Sequence, residues 1–253
     1  SDMYTDFFKL KKQPFQLTPD IEMLYVSEGH KNALSYFHYG IVQGEGFVVL
    51  TGNAGTGKTT LIKSLLNEIK GQEIIAASIT AGNLDAYGVL ETICSSLGLG
   101  FENKSKVSLI KGIKDYLLAQ HNKRNRVLLI VDEAQTLIPE ALEQLRILSN
   151  LEQNGKSLMQ IFLVGQEELN ATLLSSEFEH LRQRIIASYH LASLNKDDTQ
   201  RYIEHRLGKS GWKDDPRISS DVYPHVYAWS AGIPRKINLI CDRLFLYAFT
   251  GEK

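Results

Sequence analysis

The chain has 253 residues, of which 43% are hydrophobic and 23% are charged, and its formal net charge is −1. These proportions are ordinary for a globular protein, and the length is enough for one large domain or two modest ones. A net charge near zero argues against a dominant nucleic-acid-binding surface, because such domains are usually markedly basic. The longest apolar run, residues 127–131, has the length of a strand, whereas a membrane span needs roughly 18 or more apolar residues.

The start of the chain and its cysteines bear on the cellular compartment. No signal-peptide pattern is present at the N-terminus, and the two cysteines, Cys94 and Cys241, each lie in an apolar helical pattern. Buried free thiols are typical of a reducing cytosol, whereas disulfides are typical of secreted proteins. We therefore expect a cytoplasmic protein with two free cysteines and no disulfide.

A phosphate-loop motif, G-x-x-x-x-G-K-[ST], follows the first predicted strand. Its residues, with the threonine that comes next, are Gly52, Asn53, Ala54, Gly55, Thr56, Gly57, Lys58, Thr59 and Thr60. Glycines allow successive N–H groups to point at phosphate oxygens, the lysine reaches the β- and γ-phosphates, and the hydroxyl after the lysine binds Mg²⁺. An apolar strand at 47–50 precedes the loop and an amphipathic helix at 60–66 follows it, which is the order that the motif requires. The motif predicts a nucleotide site in which Lys58 contacts phosphate and Thr59 binds Mg²⁺.

Strands and helices alternate over most of the chain. Further strands are predicted at 73–79, 127–131, 158–164 and 185–191, and helices at 86–97, 106–121 and 139–151. The segment 127–131 is apolar on both faces, as a central parallel strand is. Alternation that starts with a phosphate loop predicts an α/β fold, a doubly wound P-loop sheet of five parallel strands flanked by helices.

The strand pattern stops after about residue 193. Helices are predicted at 197–207, 221–229 and 234–249, with Asn195 or Asp197 and Ser219 as N-caps. We therefore expect an α/β nucleotide-binding domain at 1–192 and a small α-helical lid domain at 193–253. The N-terminal segment, 1–45, is expected near the adenine pocket, where His30 either shapes the pocket or packs at the start of a helix.

Two carboxylates, Asp132 and Glu133, directly follow the apolar strand at 127–131. The carboxyl ends of parallel strands share one edge of a sheet, so these side chains are expected at the edge where the phosphate loop begins. An Asp at this point holds Mg²⁺, and the adjacent Glu polarises a water for attack on the γ-phosphate. Gln166 ends the next predicted strand and is expected to orient that water or to sense the γ-phosphate; the alternative is an ordinary turn residue. The two carboxylates together indicate hydrolysis and not binding alone.

Three arginines are candidates for contact with a nucleotide. Arg182 and Arg184 precede the last predicted strand, where an arginine would point at a neighbouring subunit's nucleotide and stabilise charge on its γ-phosphoryl group. Arg184 is the preferred finger; the alternative is a pair of surface arginines in minor ion pairs. Arg235 begins the last helix and is expected to sense the γ-phosphate from the lid; the alternative is a capping or interface arginine.

These residues belong to a longer ordered set of blocks that resembles one family. The blocks are Met3-Tyr4, Pro14-Phe15, Thr18-Pro19-Asp20, Gly46-Phe47, the phosphate loop, Val131-Asp132-Glu133-Ala134-Gln135, Leu163-Val164-Gly165-Gln166, Leu181-Arg182-Gln183-Arg184-Ile185, Ser188-Tyr189-His190-Leu191 and Gly232-Ile233-Pro234-Arg235. The set is similar to that of the AAA+ ATPases of the ExeA/GspA (general secretion pathway protein A) group. Within that group it most resembles the secretion ATPase of exosortase (PEP-CTERM) and exopolysaccharide loci. Many unrelated NTPases share the phosphate loop, whereas the Ser-Tyr-His-Leu and Gly-Ile-Pro-Arg blocks are far more specific.

The resemblance covers nearly the whole chain. It implies a homo-oligomer, ring-forming or assembled by nucleotide, that binds ATP or ADP with Mg²⁺ and hydrolyses ATP. It also implies inner-membrane or envelope export and polysaccharide-assembly proteins as partners, and a cytoplasmic location peripheral to the inner membrane. Members that assemble outer-membrane secretins carry a transmembrane segment and a peptidoglycan-binding region after the ATPase core. This chain ends at Lys253 with neither, so direct cell-wall binding is not expected of it unless the native protein is longer.

Two other functions stay open. A DNA-associated AAA+ regulator like the transposition ATPases shares this core, and the basic run at 123–126 favours it, whereas the near-neutral charge does not. The third hypothesis is a nucleotide-gated interaction module that does not hydrolyse ATP, and Glu133 argues against it.

Overall fold

The computed structural model describes residues 3–251. Its helices are α1 (Met3–Phe7), α2 (Glu28–Gln43), α3 (Lys58–Glu68), α4 (Ala86–Ser96), α5 (Lys106–Asn122), α6 (Pro139–Ser149), α7 (Glu168–Leu173), α8 (Glu179–Arg182), α9 (Lys196–Lys209), α10 (Val222–Ser230) and α11 (Pro234–Thr250). Its strands are β1 (Phe47–Gly52), β2 (Ile74–Thr80), β3 (Arg126–Asp132), β4 (Glu152–Gln153), β5 (Lys156–Ser157), β6 (Met159–Gly165) and β7 (Ile185–Leu191). Short 3₁₀ turns lie at Ile21–Met23, Ala134–Thr136 and Ser176–Phe178.

Five of the strands form one sheet in the order β2-β3-β6-β1-β7. The pairs β1 with β6, β3 with β6 and β2 with β3 are parallel, and Val131 of β3 lies opposite Ile79 on one side and Leu163 on the other. β1 and β6 are buried along their whole length, as expected when helices cover both faces of a parallel sheet. The predicted fold class, a five-stranded parallel P-loop sheet flanked by helices and followed by a helical region, is confirmed.

The helices α4 and α6 pack into one core beside the sheet. Leu90 and Ile93 of α4 and Leu142 and Leu145 of α6 are completely buried there. Each pair has the three-residue spacing that places side chains on one face of a helix. Burial of each such side chain contributes about 2 kcal/mol relative to exposure. This packing holds α6, and with it the turn that connects β3 to α6.

The chain divides into two compact units. One contains Asn32–Gly52 and Leu65–His190, and the other contains the residues up to Lys31, Asn53–Ser64 and the residues from Leu191 onward. The second unit therefore groups the N-terminal segment and most of the phosphate loop with the C-terminal helices. The division into domains at 1–192 and 193–253 stays a prediction, and its first two and last two positions lie outside the described residues.

In the second unit, the N-terminal segment packs on the C-terminal helices. Tyr4 and Phe245 of α11 contact edge to face with ring centroids 5.7 Å apart. The guanidinium of Arg206 on α9 donates to the carbonyl oxygens of Pro14 at 2.6 Å and Gln16 at 3.2 Å. Because Arg206 is buried, these bonds replace the water that its charge would otherwise need. The contacts hold the segment around residues 14–16 against α9.

The predicted N-caps have different outcomes. Asn195 caps α9, since its side-chain oxygen accepts the N–H of Asp198 at 2.7 Å, as predicted. Ser219 is not the N-cap of α10, so that prediction is wrong. The helix begins at Val222 after Asp221, and the Ser219 hydroxyl donates to the Asp221 carboxylate. The N-cap directly precedes the first helical residue, and that position is Asp221, two residues after Ser219.

Two general predictions can also be compared with the structure. Cys94 and Cys241 are both free and buried, which confirms the prediction of buried thiols. Within residues 3–251, none of the helices combines the length and apolar character needed to cross a membrane.

Candidate functional site

The phosphate loop has the backbone shape that the motif predicts. Gly55 and Gly57 have φ angles of +81° and +102°, which favour glycine over residues with a side chain. The carbonyl oxygen of Asn53 accepts the Thr56 hydroxyl at 2.8 Å and the Lys58 ammonium at 2.9 Å. These bonds curl the loop and hold the lysine head over it, directly before the first turn of α3. A positively charged loop at the start of a helix fits an anionic phosphate chain.

Arg235 lies against the phosphate loop through its backbone. Its N–H donates to the carbonyl oxygen of Gly55 at 3.2 Å. A Cβ on Gly55 would lie 2.8 Å from Cβ of Arg235 and 3.2 Å from Cγ2 of Ile233. Only a glycine at position 55 therefore allows the start of α11 to approach this closely. The structure brings Arg235 to the loop, and its role as a γ-phosphate sensor stays a prediction.

His30 borders the same loop. A Cβ on Gly57 would lie 3.3 Å from its Nε2, so the imidazole edge faces the loop backbone. The Ser27 hydroxyl accepts the His30 N–H at 3.2 Å and lies within hydrogen-bond distance of Nδ1, at 2.5 Å. Burial lowers the pKa of His30 to about 4, although the nearby Asp198 carboxylate raises it.

The His30 pKa predicts a specific loss of stability in acid. The unfolded chain binds a proton at this side chain below its ordinary pKa of about 6.5, whereas the folded chain does so only near its lowered pKa of about 4. Stability should therefore fall as the pH falls between these values, by at most about 3 kcal/mol. We expect His30→Gln to flatten this part of a plot of unfolding free energy against pH, measured by urea denaturation. His180→Gln, at an exposed histidine, is the control, and an unchanged slope in the His30 variant would contradict the assignment.

The other unit collects the predicted acids at one edge of the sheet. β1 ends at Gly52, β3 at Asp132 and β6 at Gly165. The register pairs Leu50 with Val164, and Val131 with Leu163, so the three strands end nearly level. The strand that leads into the phosphate loop thus ends at the same edge as the strand that carries Asp132.

Glu133 has a left-handed backbone conformation, with φ 54° and ψ 37°. This region is uncommon for a residue other than glycine, because a side chain makes the conformation costly. Its N–H donates to Oδ1 of Asp132 at 2.8 Å, and its carbonyl oxygen accepts the Thr136 N–H at 3.0 Å and hydroxyl at 2.7 Å. The bonds on both sides hold the strained residue in place.

Gln166 is beside this turn, as the sequence predicts for a residue at the end of the neighbouring strand. Its backbone N–H donates at 2.9 Å to Oε1 of Gln135, whose amide nitrogen donates to Oε2 of Glu133 at 2.6 Å. The backbone of Gln166 is therefore linked to the candidate base, and a contact of its side chain with a nucleotide or water stays a prediction.

Arg182 and Arg184 both bond to carbonyl oxygens of their own chain. Nη1 of Arg182 donates to Leu173 at 2.6 Å and to Ser175 at 2.5 Å. Nη2 of Arg184 donates to the carbonyl oxygen of Ser149 at 2.8 Å, and its Nε to the Ser149 hydroxyl at 3.2 Å. A guanidinium has five N–H donors, so these contacts do not exhaust either arginine. The choice between them as a finger in trans stays a prediction.

Several polar residues near the ends of these strands make contacts that their spacing in the sequence does not indicate. Thr51, before Gly52, accepts the Asn170 amide at 3.0 Å and lies 3.0 Å from Nδ1 of His190. The contacts of Gln135 with Glu133 and Gln166 are of the same kind. The Ser-Tyr-His-Leu and Asp-Glu-Ala-Gln blocks were the available signals, but spacing alone does not show which side chains meet.

The chemistry of the available donors fits Mg²⁺. Within residues 3–251, no group of three or more His, Cys, Asp or Glu side chains could hold a metal ion. Mg²⁺ does not require such a cage, because it keeps waters and substrate phosphates and takes only one or two protein oxygens. The Thr59 hydroxyl and the Asp132 carboxylate are oxygen donors of this kind.

Comparisons with known proteins agree with the fold and the motif. A family model described as an AAA domain matches residues 41–173. The chain is 41% identical over 248 residues to General secretion pathway protein A of Aeromonas hydrophila, which covers 98% of this chain and 45% of that protein. It is 31% identical over 154 residues to Mu-like prophage FluMu DNA transposition protein B of Haemophilus influenzae, covering 59% of this chain and 50% of that protein. The chain thus spans about half the length of these curated relatives.

Among solved structures, the ADP form of the Aeropyrum pernix ORC2 protein has a similar fold. The TM-score is 0.70 at 18% identity, over 96% of this chain and 70% of that one. At such low identity the likeness concerns the fold, and the ADP is a property of that protein. The AAA domain match covers more than half of the 253 residues and includes the phosphate loop and the Asp-Glu pair. The chain therefore belongs to the AAA domain family.

Proposed function

We propose that the chain is a Mg²⁺-dependent ATPase that oligomerises and that powers or switches an envelope secretion or exopolysaccharide-export system. The observation that carries the ATPase proposal is the Asp132-Glu133 pair, which ends β3 at the edge where β1 leads into the phosphate loop. A loop alone is sufficient for binding, whereas an Asp for the metal and a carboxylate that can activate the attacking water are the parts that hydrolysis needs.

Each residue has a distinct proposed role. The loop N–H groups from Gly52 to Thr60 and the Lys58 ammonium hold the phosphates of ATP. Thr59 and Asp132 hold Mg²⁺, which when bound supplies positive charge to the phosphate oxygens. Glu133 accepts a proton from the water that attacks the γ-phosphorus, and ADP and phosphate leave. Gln166 orients that water or senses the γ-phosphate, and Arg235 senses it from α11.

Arg184 is proposed to act on the nucleotide of a neighbouring copy. We expect Arg184→Ala to bind ATP normally and to lose about a hundredfold in turnover, the usual effect of removing one group that stabilises transition-state charge. A mixture of Arg184→Ala with Glu133→Gln separates action in trans from action in cis. About a quarter of the interfaces in the mixture join an intact Glu133 to an intact Arg184, so a similar fraction of turnover should return. Arg182→Ala is mixed in the same way, and no recovery with either arginine variant would contradict a finger in trans.

The export role and its partners rest on the 41% identity to General secretion pathway protein A. The exosortase and exopolysaccharide connection rests on the resemblance alone. We propose that the chain works at the cytoplasmic face of the inner membrane, together with export or polysaccharide-assembly proteins. A chromosomal Lys58→Ala replacement tests this role: the exported protein or polysaccharide should accumulate inside the cell, and unchanged export would contradict the proposal.

A DNA-associated regulator is the second candidate, because of the 31% identity to a DNA transposition protein. Binding of duplex DNA whose affinity falls steeply with added salt would favour it. In the basic run at 123–126, one side chain is already engaged within the chain. Nη1 of Arg126 donates to the carbonyl oxygen of Ile41 at 2.6 Å.

A further inference from the structure

The side chain of Gln135 joins the proposed base to the end of the neighbouring strand. Its amide nitrogen donates to Oε2 of Glu133 at 2.6 Å, and its amide oxygen accepts the N–H of Gln166 at 2.9 Å. A backbone N–H can only donate and a carboxylate can only accept, so the amide has one orientation that satisfies both. Both ends of the Gln135 amide are therefore bonded within the chain, one to Glu133 and the other to Gln166.

Gly165 leaves the space that the Gln135 side chain occupies. A Cβ on Gly165 would lie 2.6 Å from Oε1 of Gln135 and 3.1 Å from its backbone nitrogen. Any side chain at position 165 would displace Gln135. The glycine has no unusual φ angle that would require it for backbone reasons, so close approach of the Gln135 turn is the physical reason for a glycine there.

We infer that Gln135 is a positioning residue that fixes the orientation of the Glu133 carboxylate. The inference rests on the proposed function, because orientation matters only if Glu133 accepts the proton of the attacking water. A glutamate carboxylate rotates easily about its last bond, and a general base needs its oxygen within hydrogen-bond distance of that proton. The bond to Oε2 limits this rotation and leaves Oε1 to accept the proton. The same amide couples Glu133 to β6, the strand that ends beside Gln166.

Two substitutions test the inference. Gln135→Leu keeps the approximate size and removes both bonds, so kcat should fall about tenfold to a hundredfold, while the dissociation constant for ATP stays within about twofold. Gln135→Glu keeps the shape and the bond from Gln166 but faces Glu133 with a second carboxylate. One pKa of such a pair is raised, and a protonated carboxyl again donates one hydrogen bond and accepts another.

The pH profile of Gln135→Glu is the decisive readout. We expect its kcat to be low at high pH and to rise as the pH is lowered, because a proton bound by the new carboxyl restores the donor to Glu133. The wild type lacks this second carboxylate and should show no such rise. A loss of turnover through general damage to the fold would not be reversed by acid.

A matched control exists on α9. Nε2 of Gln200 also donates to a glutamate, Oε1 of Glu204, at 2.6 Å on an exposed surface. Gln200→Leu and Gln200→Glu should therefore keep the kcat and the pH profile of the wild type. Nucleotide affinity, measured with a fluorescent ATP analogue, shows that each variant is folded.

The outcomes distinguish this inference from the proposed function. If the wild type does not hydrolyse ATP, the proposed function is wrong. If the wild type hydrolyses ATP and Gln135→Glu has the same kcat and pH profile, the inference alone is overturned. If Gln135→Leu loses nucleotide affinity through misfolding, the profile of Gln135→Glu still decides the question.

Discussion

Lys58→Ala should weaken ATP binding by about a thousandfold, which corresponds to about 4 kcal/mol for the loss of one partner of a desolvated charge pair. The Lys58 ammonium bonds to the carbonyl of Asn53, so it already lies over the loop that is to hold the phosphates. Alanine at this position leaves the loop glycines and the first turn of α3 in place but removes the charge. The measurement is a titration with a fluorescent ATP analogue.

Lys63→Ala is the control for this prediction. Lys63 is an exposed lysine on α3, and its removal changes the net charge by the same amount. The control should bind ATP as the wild type does. Retained affinity in Lys58→Ala would show that the loop does not bind phosphate, and would remove the basis for every role proposed around it.

Glu133→Gln should bind ATP normally but reduce turnover by about a thousandfold, since general-base catalysis typically contributes between a hundredfold and ten-thousandfold. The amide is nearly isosteric with the carboxylate but cannot accept the proton of water. It also leaves the backbone bonds to Asp132 and Thr136 intact, so the left-handed conformation should persist. The measurements are phosphate release at saturating ATP and the dissociation constant for ATP.

Glu102→Gln, in an exposed loop, is the charge-matched control and should keep wild-type turnover. Unchanged turnover in Glu133→Gln would show that Glu133 is not the general base. If Glu133→Gln lowered the affinity for ATP as much as it lowered turnover, the role of Glu133 would be to bind the nucleotide.

The parts of the fold that the sequence predicts are those set by local patterns. The apolar run at 127–131 identifies β3, and the spacing of Val89, Leu90, Ile93 and Leu97 identifies α4, because burial imposes a period that a single segment displays. The strand order has no such local sign, since it depends on which strands pair. The helix α2 was anticipated only by the alternative that His30 packs at the start of a helix, although Ala33 and Phe37 are buried on one face with helical spacing. The exposed face of α2 carries the large hydrophobic residues Tyr36 and Tyr39, so its apolar residues do not show a clear helical period.

The residues of the candidate site also separate into those that the sequence pattern identifies and those that only the tertiary structure identifies. Lys58, Asp132 and Glu133 are recognisable because their chemistry requires fixed neighbours in the chain. The link from Glu133 through Gln135 to Gln166 is not, since it depends on the left-handed turn at Glu133 and on the missing side chain of Gly165. For Arg184, the sequence indicates a position but not the contacts of the side chain. Its position before β7 is readable from the sequence, but its bonds to Ser149 are a tertiary feature, and its proposed target belongs to another copy of the chain.

Phosphate release from ATP by the purified wild-type chain, followed with and without Mg²⁺ over a range of protein concentrations, tests the central claim most directly. We predict saturable release that requires Mg²⁺, that increases per protomer as the concentration rises, and that is lost in Glu133→Gln but not in Glu102→Gln. Tight ATP binding without any release of phosphate, at every concentration and with Mg²⁺ present, would contradict the claim that this chain is an ATPase.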